Sequence, residues 1–197
     1  MISFAALTRE IQGVALGASA GGIEVLSALL SSLRADCPAS FFIVLHIPRE
    51  RPSLLAEIFA ARCALPVKEA EDKEPVQAGT VYFAPPDYHL LLDRGPAFAL
   101  SSDAPVHFSR PSIDVLFESA ADIYEERLLG VILTGANQDG AHGLAAIGRA
   151  GGRTVVQEPA SAAVPFLPEA ALQEGPVDCV LTLERLQDLF ATWGAKE

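Results

Sequence analysis

No apolar run in this chain of 197 residues approaches the roughly 20 residues that a helix needs to cross a bilayer. The N-terminus, MISFAALTREIQ, carries Arg9 and Glu10 where a secretory signal would continue its apolar stretch, so a cytoplasmic location and no membrane insertion are expected. Basic residues are also short, with 14 Lys and Arg against 25 Asp and Glu and a formal net charge of -11. That balance excludes a general nucleic-acid binder, which must neutralise phosphates with Lys and Arg. Cysteine is scarce: Cys37, Cys63 and Cys179 are odd in number, widely spaced and set among apolar residues. They form neither a disulfide framework nor a zinc site, and they read as buried thiols. There is no repeat and no low-complexity tract. The one candidate linker, EAEDKEPVQAG, reads as a solvated surface loop, so a single domain over 1–197 is expected.

What the chain does have is core-forming material, since half of its residues are hydrophobic, and it is arranged in alternating periods. QGVALGA is a short buried-strand pattern, and Ile23, Leu26, Leu30 and Leu33 follow at helical spacing. FFIVLHI is a second strand-like run, followed by RPSLLAEIFAARC with Pro52 placed for a first helical position. VYFAPPDYHLLLDRGPAFALS departs from this rhythm, and Arg94-Gly95 between two strand-like runs predicts an antiparallel hairpin. From RPSIDVLFESAADIYEERL the alternation resumes: helix, strand LGVILTG, helix DGAHGLAAIGRAGG, strand RTVVQE, a short helix at PEAALQEG, strand VDCVLT and a final helix. The series predicts an α/β fold: a doubly wound, mostly parallel sheet flanked by helices on both faces, with an antiparallel hairpin excursion in mid-chain.

In such sheets the ligand crevice lies beyond the carboxyl ends of the strands. The first strand ends at Ser19, the second at His46, and LLGVILTG runs through ANQ into Asp139. A serine hydroxyl attacks a carbonyl only when a neighbouring imidazole takes its proton, and the imidazole in turn needs a carboxylate to orient it. Each residue also has a plain structural reading. Ser19 and Asp139 stand where helix N-caps stand, and His46 has the place of a core histidine with a backbone partner. His89, after FAPPDY, is a rival base near the same edge. The same first turn approximates a dinucleotide cradle through Gly17, Ser19 and Gly22. However, its middle glycine is replaced, the second strand ends in His46 rather than Asp or Glu, and no Walker lysine is present.

GASAGG, VLHIP, VYFAPPDYHLLL, RPSIDVLFESAA and LTGANQDGAHG, in that order, resemble the catalytic domain of the CheB-type chemotaxis protein-glutamate methylesterases. The resemblance runs from about Gly13 to the final helix. It implies a serine hydrolase without a metal or cofactor that removes methyl groups from glutamate γ-esters of chemoreceptor-type signalling proteins, with glutamine deamidation as a second activity. Ser19, His46 and Asp139 fall on that family's triad positions, and the Ala20 and Ala136 amides on its oxyanion donors. The chain departs from the family at Ala20 in place of Thr, at Ala136-Asn137 in place of Met-Gly, and at VPFLP, residues 164–168. Those departures leave a second expectation, a weakly active or non-catalytic signalling module on the same fold. No receiver domain is expected within this segment.

Overall fold

The computed structural model describes residues 4–46 and 54–193. A short helix α1 (Phe4–Thr8) precedes strand β1 (Gly13–Ala18), helix α2 (Gly22–Leu30), β2 (Ser40–Leu45), α3 (Leu55–Ala60), β3 (Val67–Glu69) and β4 (Val81–Phe83). The hairpin β5 (His89–Asp93) and β6 (Ala97–Ser101) follows, then α4 (Ile113–Tyr124), β7 (Leu128–Ile132), α5 (Ala141–Arg149), β8 (Arg153–Gln157), α6 (Phe166–Glu174), β9 (Cys179–Leu181) and α7 (Leu183–Ala191). The helix predicted after the second strand begins at Leu55, and the expected role of Pro52 lies outside the described residues.

Among the described residues seven strands form one sheet in the order β3-β4-β2-β1-β7-β8-β9, every pair parallel. The chain winds outward from β1 through β2 toward β3, returns to β7, and winds outward again. The reversal point is therefore the β1/β7 pair, where a doubly wound sheet opens its crevice. The predicted hairpin turns at Gly95, whose φ of 90° suits a residue without Cβ. Strand β3 is the one strand that the sequence pattern did not announce. Its three half-buried residues, Val67, Lys68 and Glu69, carry too little apolar periodicity, and pairing with β4 makes them a strand.

Burial explains the continuous apolar runs. Along β2, Phe41, Ile43 and Leu45 face a core closed by α1, α2, α3 and α7, whereas Phe42 and Val44 face one closed by the hairpin, α4, α5 and α6. A strand covered on both faces has no polar side to show, so alternation between apolar and polar residues disappears. Of the cysteines only Cys37 is fully buried, which corrects the expectation for Cys63 and Cys179; all three are free thiols. Burial pushes the Cys37 thiol up to about 11, so it is inert near neutral pH.

Candidate active site

Ala18 and Leu45 are register partners at the ends of β1 and β2, and the His46 amide donates to the Ala18 carbonyl at 3.0 Å. Ser19 and His46 are thus the first residues beyond two paired strand ends. The Ser19 amide donates to the Thr134 carbonyl at 3.0 Å, which ties the same turn to the end of β7. Parallel pairing delivers all three strand ends to one edge, as the sequence pattern required.

The capping readings do not hold. Helix α2 is capped by Gly21 and α5 by Gly140, both in left-handed backbone conformations with φ of 79° and 112°. Neither Ser19 nor Asp139 supplies a side-chain cap to the helix that follows it. His89, the rival base, is the satisfied core histidine instead. Its Nδ1 accepts from the Ser112 amide at 3.1 Å, so its Nε2 donates to the Ala104 carbonyl at 3.1 Å, and both ring nitrogens are used.

Asp139 is fully buried and receives four donors. Its Oδ2 accepts from His46 Nε2 at 2.9 Å and from the Ile113 amide at 2.7 Å; its Oδ1 accepts from Ser112 Oγ at 2.6 Å and the Asp114 amide at 3.1 Å. Three of these donors belong to the N-terminus of α4, where exposed amides favour an anion. Burial alone would push the Asp139 carboxyl up, but the bonds from His46, Ser112 and Ile113 outweigh it and hold the group below the usual carboxylate range. Asp139 is an anion at any pH near neutral.

The imidazole uses Nε2 on the carboxylate, and its Nδ1 is buried with no hydrogen-bond partner among the described residues. This is the reverse of the familiar serine-protease arrangement, in which Nδ1 faces the carboxylate. Ser19 is half-buried, and its hydroxyl makes no hydrogen bond among the described residues. The structure therefore forms the imidazole–carboxylate half of the expected constellation and places Ser19 beyond the end of the neighbouring paired strand, with no serine–imidazole bond made. Such bonds are commonly loose before substrate arrives.

Ala20 and Ala136 are exposed, and neither backbone amide donates to another described residue. The Gly135 backbone passes so close to the serine turn that a Cβ there would stand 3.1 Å from Ser19 Cβ. Thr134 Oγ1 locks the turn in place by donating to the Ala20 carbonyl at 2.9 Å while accepting from the Val164 amide at 2.9 Å. The divergent segment 164–168 is stitched to the same loop, because the Gly135 amide donates to Val164 O and the Leu167 amide donates to Gly135 O, both at 3.0 Å. Asn137, another departure, donates through Nδ2 to Ser109 Oγ at 3.2 Å.

Sequence reasoning missed Ser112 and Asp114. Ser-x-Asp at a helix start reads as ordinary capping, and Ser112 does cap α4 by accepting from the Val115 amide. Nothing local marks it as a partner of a carboxylate 27 positions away. A cavity of about 500 Å³ beside Arg149, Arg153 and Glu174 adjoins the start of β8, at the other edge of the sheet, and includes none of the candidate residues. Among the described residues no group of His, Cys, Asp and Glu could hold a metal ion, and no helix is long and apolar enough to cross a membrane.

A doubly wound α/β domain with a serine and an imidazole–carboxylate pair at its switch point has the layout of a serine hydrolase. Comparison with known proteins narrows that class. The family model described as CheB methylesterase matches residues 14–190, and the chain belongs to the CheB methylesterase family. It is 44% identical over 179 residues to a putative protein-glutamate methylesterase/protein-glutamine glutaminase of Leptospira interrogans, covering 91% of this chain and 93% of that protein. It is 42% identical over 183 residues to the protein-glutamate methylesterase/protein-glutamine glutaminase of Bordetella parapertussis, covering 91% of this chain and 52% of that protein. The chain thus spans nearly all of one relative and about half of the other. Among solved structures, the CheB methylesterase catalytic domain of Thermotoga maritima superposes with a TM-score of 0.85 at 33% identity, covering 91% of this chain and 98% of that one.

Proposed function

We propose that this chain hydrolyses γ-methyl esters of glutamate on methylated chemoreceptor-type proteins in the cytoplasm, with Ser19, His46 and Asp139 as its catalytic triad. The observation that carries the reading is the 2.9 Å bond from His46 Nε2 to a buried, ionised Asp139, which leaves Nδ1 without a partner among the described residues, one residue beyond the strand that pairs with the Ser19 strand. Ser19 Oγ attacks the ester carbonyl carbon while His46 Nδ1 takes its proton. The oxyanion is held by the exposed Ala20 and Ala136 amides, and the nearby N-terminus of α2 favours the same negative charge. Collapse breaks the bond to the methoxy oxygen, which takes the proton from His46 and departs as methanol. Water, deprotonated by the same imidazole, then hydrolyses the glutamyl-serine ester and restores Ser19.

The departures from the family pattern leave this machinery whole. A backbone amide survives any substitution except proline, so Ala20 and Ala136 keep the donors that Thr and Met would offer. The same site would deamidate glutamine, with ammonia as the leaving group, which is the second activity in the names of the relatives. The test is methanol release from a methylated receptor fragment. Ser19→Ala should lower the rate by roughly six powers of ten if the three residues act as a unit. An unchanged rate refutes the assignment.

A further inference from the structure

Helices α4 and α5 exchange aspartates. The carboxylate that precedes α5, Asp139, sits on the N-terminus of α4, and the carboxylate in the first turn of α4, Asp114, sits on the N-terminus of α5. Asp114 Oδ1 accepts from the Gly140 amide at 2.9 Å and the Gly143 amide at 2.7 Å, while its own amide donates to Asp139 Oδ1 at 3.1 Å. Asp114 is thereby bonded to Asp139 and to the residue after it. Its Oδ2 lies 3.6 Å from His107 Nε2, and the other face of that imidazole accepts from Gln138 Nε2 at 3.3 Å, so the residue before Asp139 is tied back as well. Gly143 makes the exchange possible, since a Cβ there would come within 2.6 Å of Phe117 Cβ and 3.0 Å of Asp114 Cα.

We propose that Asp114 is a positioning residue for the reaction: by clamping Gly140 and Gly143 it holds the loop that carries Asp139, and through Asp139 it fixes the orientation of the His46 imidazole. The proposal rests on the roles assigned above to Asp139 and His46. The carboxyl is an awkward group for this place on stability grounds alone. Burial, with the Asp139 charge adding to it, pushes Asp114 up to about 6 against the opposing Gly143 and Gly140 amides and His107. What the place calls for is reach and geometry: a single side-chain oxygen takes two converging amides, one from the residue after Asp139 and one from the first turn of α5, and so fixes the loop between them.

The test compares Asp114→Ala, Asp114→Asn and Gly143→Ala in the whole chain. Two quantities are read: kcat and KM for methanol release, and the downfield NMR resonance of the His46 Nε2 proton in its bond to Asp139. The NMR signal needs no turnover, so it decides the proposal even if the esterase reading fails. Asp114→Ala should lower kcat by about 10–100-fold with KM unchanged, the size expected when a reacting group is displaced by up to an ångström, and should weaken the resonance. Asp114→Asn keeps an oxygen for both amides and should restore kcat and the resonance to within about threefold of the parent protein. Gly143→Ala presses α5 away from an intact Asp114 and should repeat the Asp114→Ala loss. That variant decides the matter if Asp114→Ala fails to fold. A folded Asp114→Ala or Gly143→Ala protein with unaltered kcat and resonance overturns the proposal, as does an Asp114→Asn protein no better than Asp114→Ala.

Discussion

Asp139→Asn separates what the Asp139 charge does from what its shape does. The buried carboxylate accepts from His46 and Ile113 on one oxygen and from Ser112 and Asp114 on the other. An amide can replace only one oxygen with an acceptor, so its NH2 must face one of these pairs. Toward His46 it would confront the Ile113 amide at 2.7 Å and force the imidazole to move its proton from Nε2 to Nδ1. Toward Ser112 it meets a hydroxyl that can turn and accept, and the Asp114 amide at the longer 3.1 Å. The second orientation costs less and preserves the imidazole tautomer. What is then lost is the charge facing the imidazolium that forms in the transition state. A charge-assisted bond contributes about 1.5–3 kcal/mol, which is about one to two powers of ten in kcat. The Asp114 amide left facing the NH2 costs about 1–3 kcal/mol of stability at neutral pH. Because the Asp139 carboxyl is held below its ordinary range, its stabilising contribution is present above the unfolded value and fades as pH falls through the folded one. The stability gap between parent and variant should therefore narrow in acid. Methanol-release kinetics and urea unfolding at neutral and acidic pH check both numbers. A loss of about four powers of ten, as the wrong tautomer causes in the serine-protease triad, would refute the orientation argument. An unchanged kcat would refute the role of Asp139 itself.

Two further predictions concern protons. In the parent protein, neutral His46 should carry its proton on Nε2 and leave Nδ1 as the base, which nitrogen-15 NMR reads directly; a proton on Nδ1 would contradict the 2.9 Å bond to Asp139. Asp114, pushed up to about 6, binds a proton more tightly in the folded protein than in the unfolded one, so stability from this group falls as pH rises from about 4 to 6. Asp114→Asn should remove that fall and raise stability above pH 6 by at most about 3 kcal/mol; equal pH dependence in both proteins would show that the carboxyl is not shifted.

Much of the site was legible because strands in a parallel sheet speak through local patterns. VALGA, FFIVL and LLGVIL are apolar throughout because both faces of the sheet are covered, and each run stops at a member of the proposed triad or at the loop that leads to one: Ser19, His46 and the loop to Asp139. His89 was not distinguishable from His46 on those terms. Both sit near the same edge, and only packing shows that the Ser112 amide and the Ala104 carbonyl consume both nitrogens of His89. Cys63 and Cys179 sit among apolar neighbours in sequence, yet they are half-buried, because their strand and helix ends lie toward the margins of the sheet.

By itself the sequence determined the periods, which runs are strands and which are helices; that Gly21 and Gly140, and not Ser19 and Asp139, cap α2 and α5 came from the backbone, which turns left-handed there. The periods are short-range consequences of side-chain shape and backbone sterics, settled within a few residues. Tertiary structure alone decided that β3 joins the sheet, that Nε2 rather than Nδ1 of His46 meets Asp139, and that α4 and α5 exchange Asp114 and Asp139 across their N-termini. Each of these depends on groups far apart in the chain being brought within hydrogen-bond reach. No local propensity encodes such a distance; the packing of α4 against β1 and α5 sets it, with Ile113 filling the space that Gly17 and Gly140 leave open.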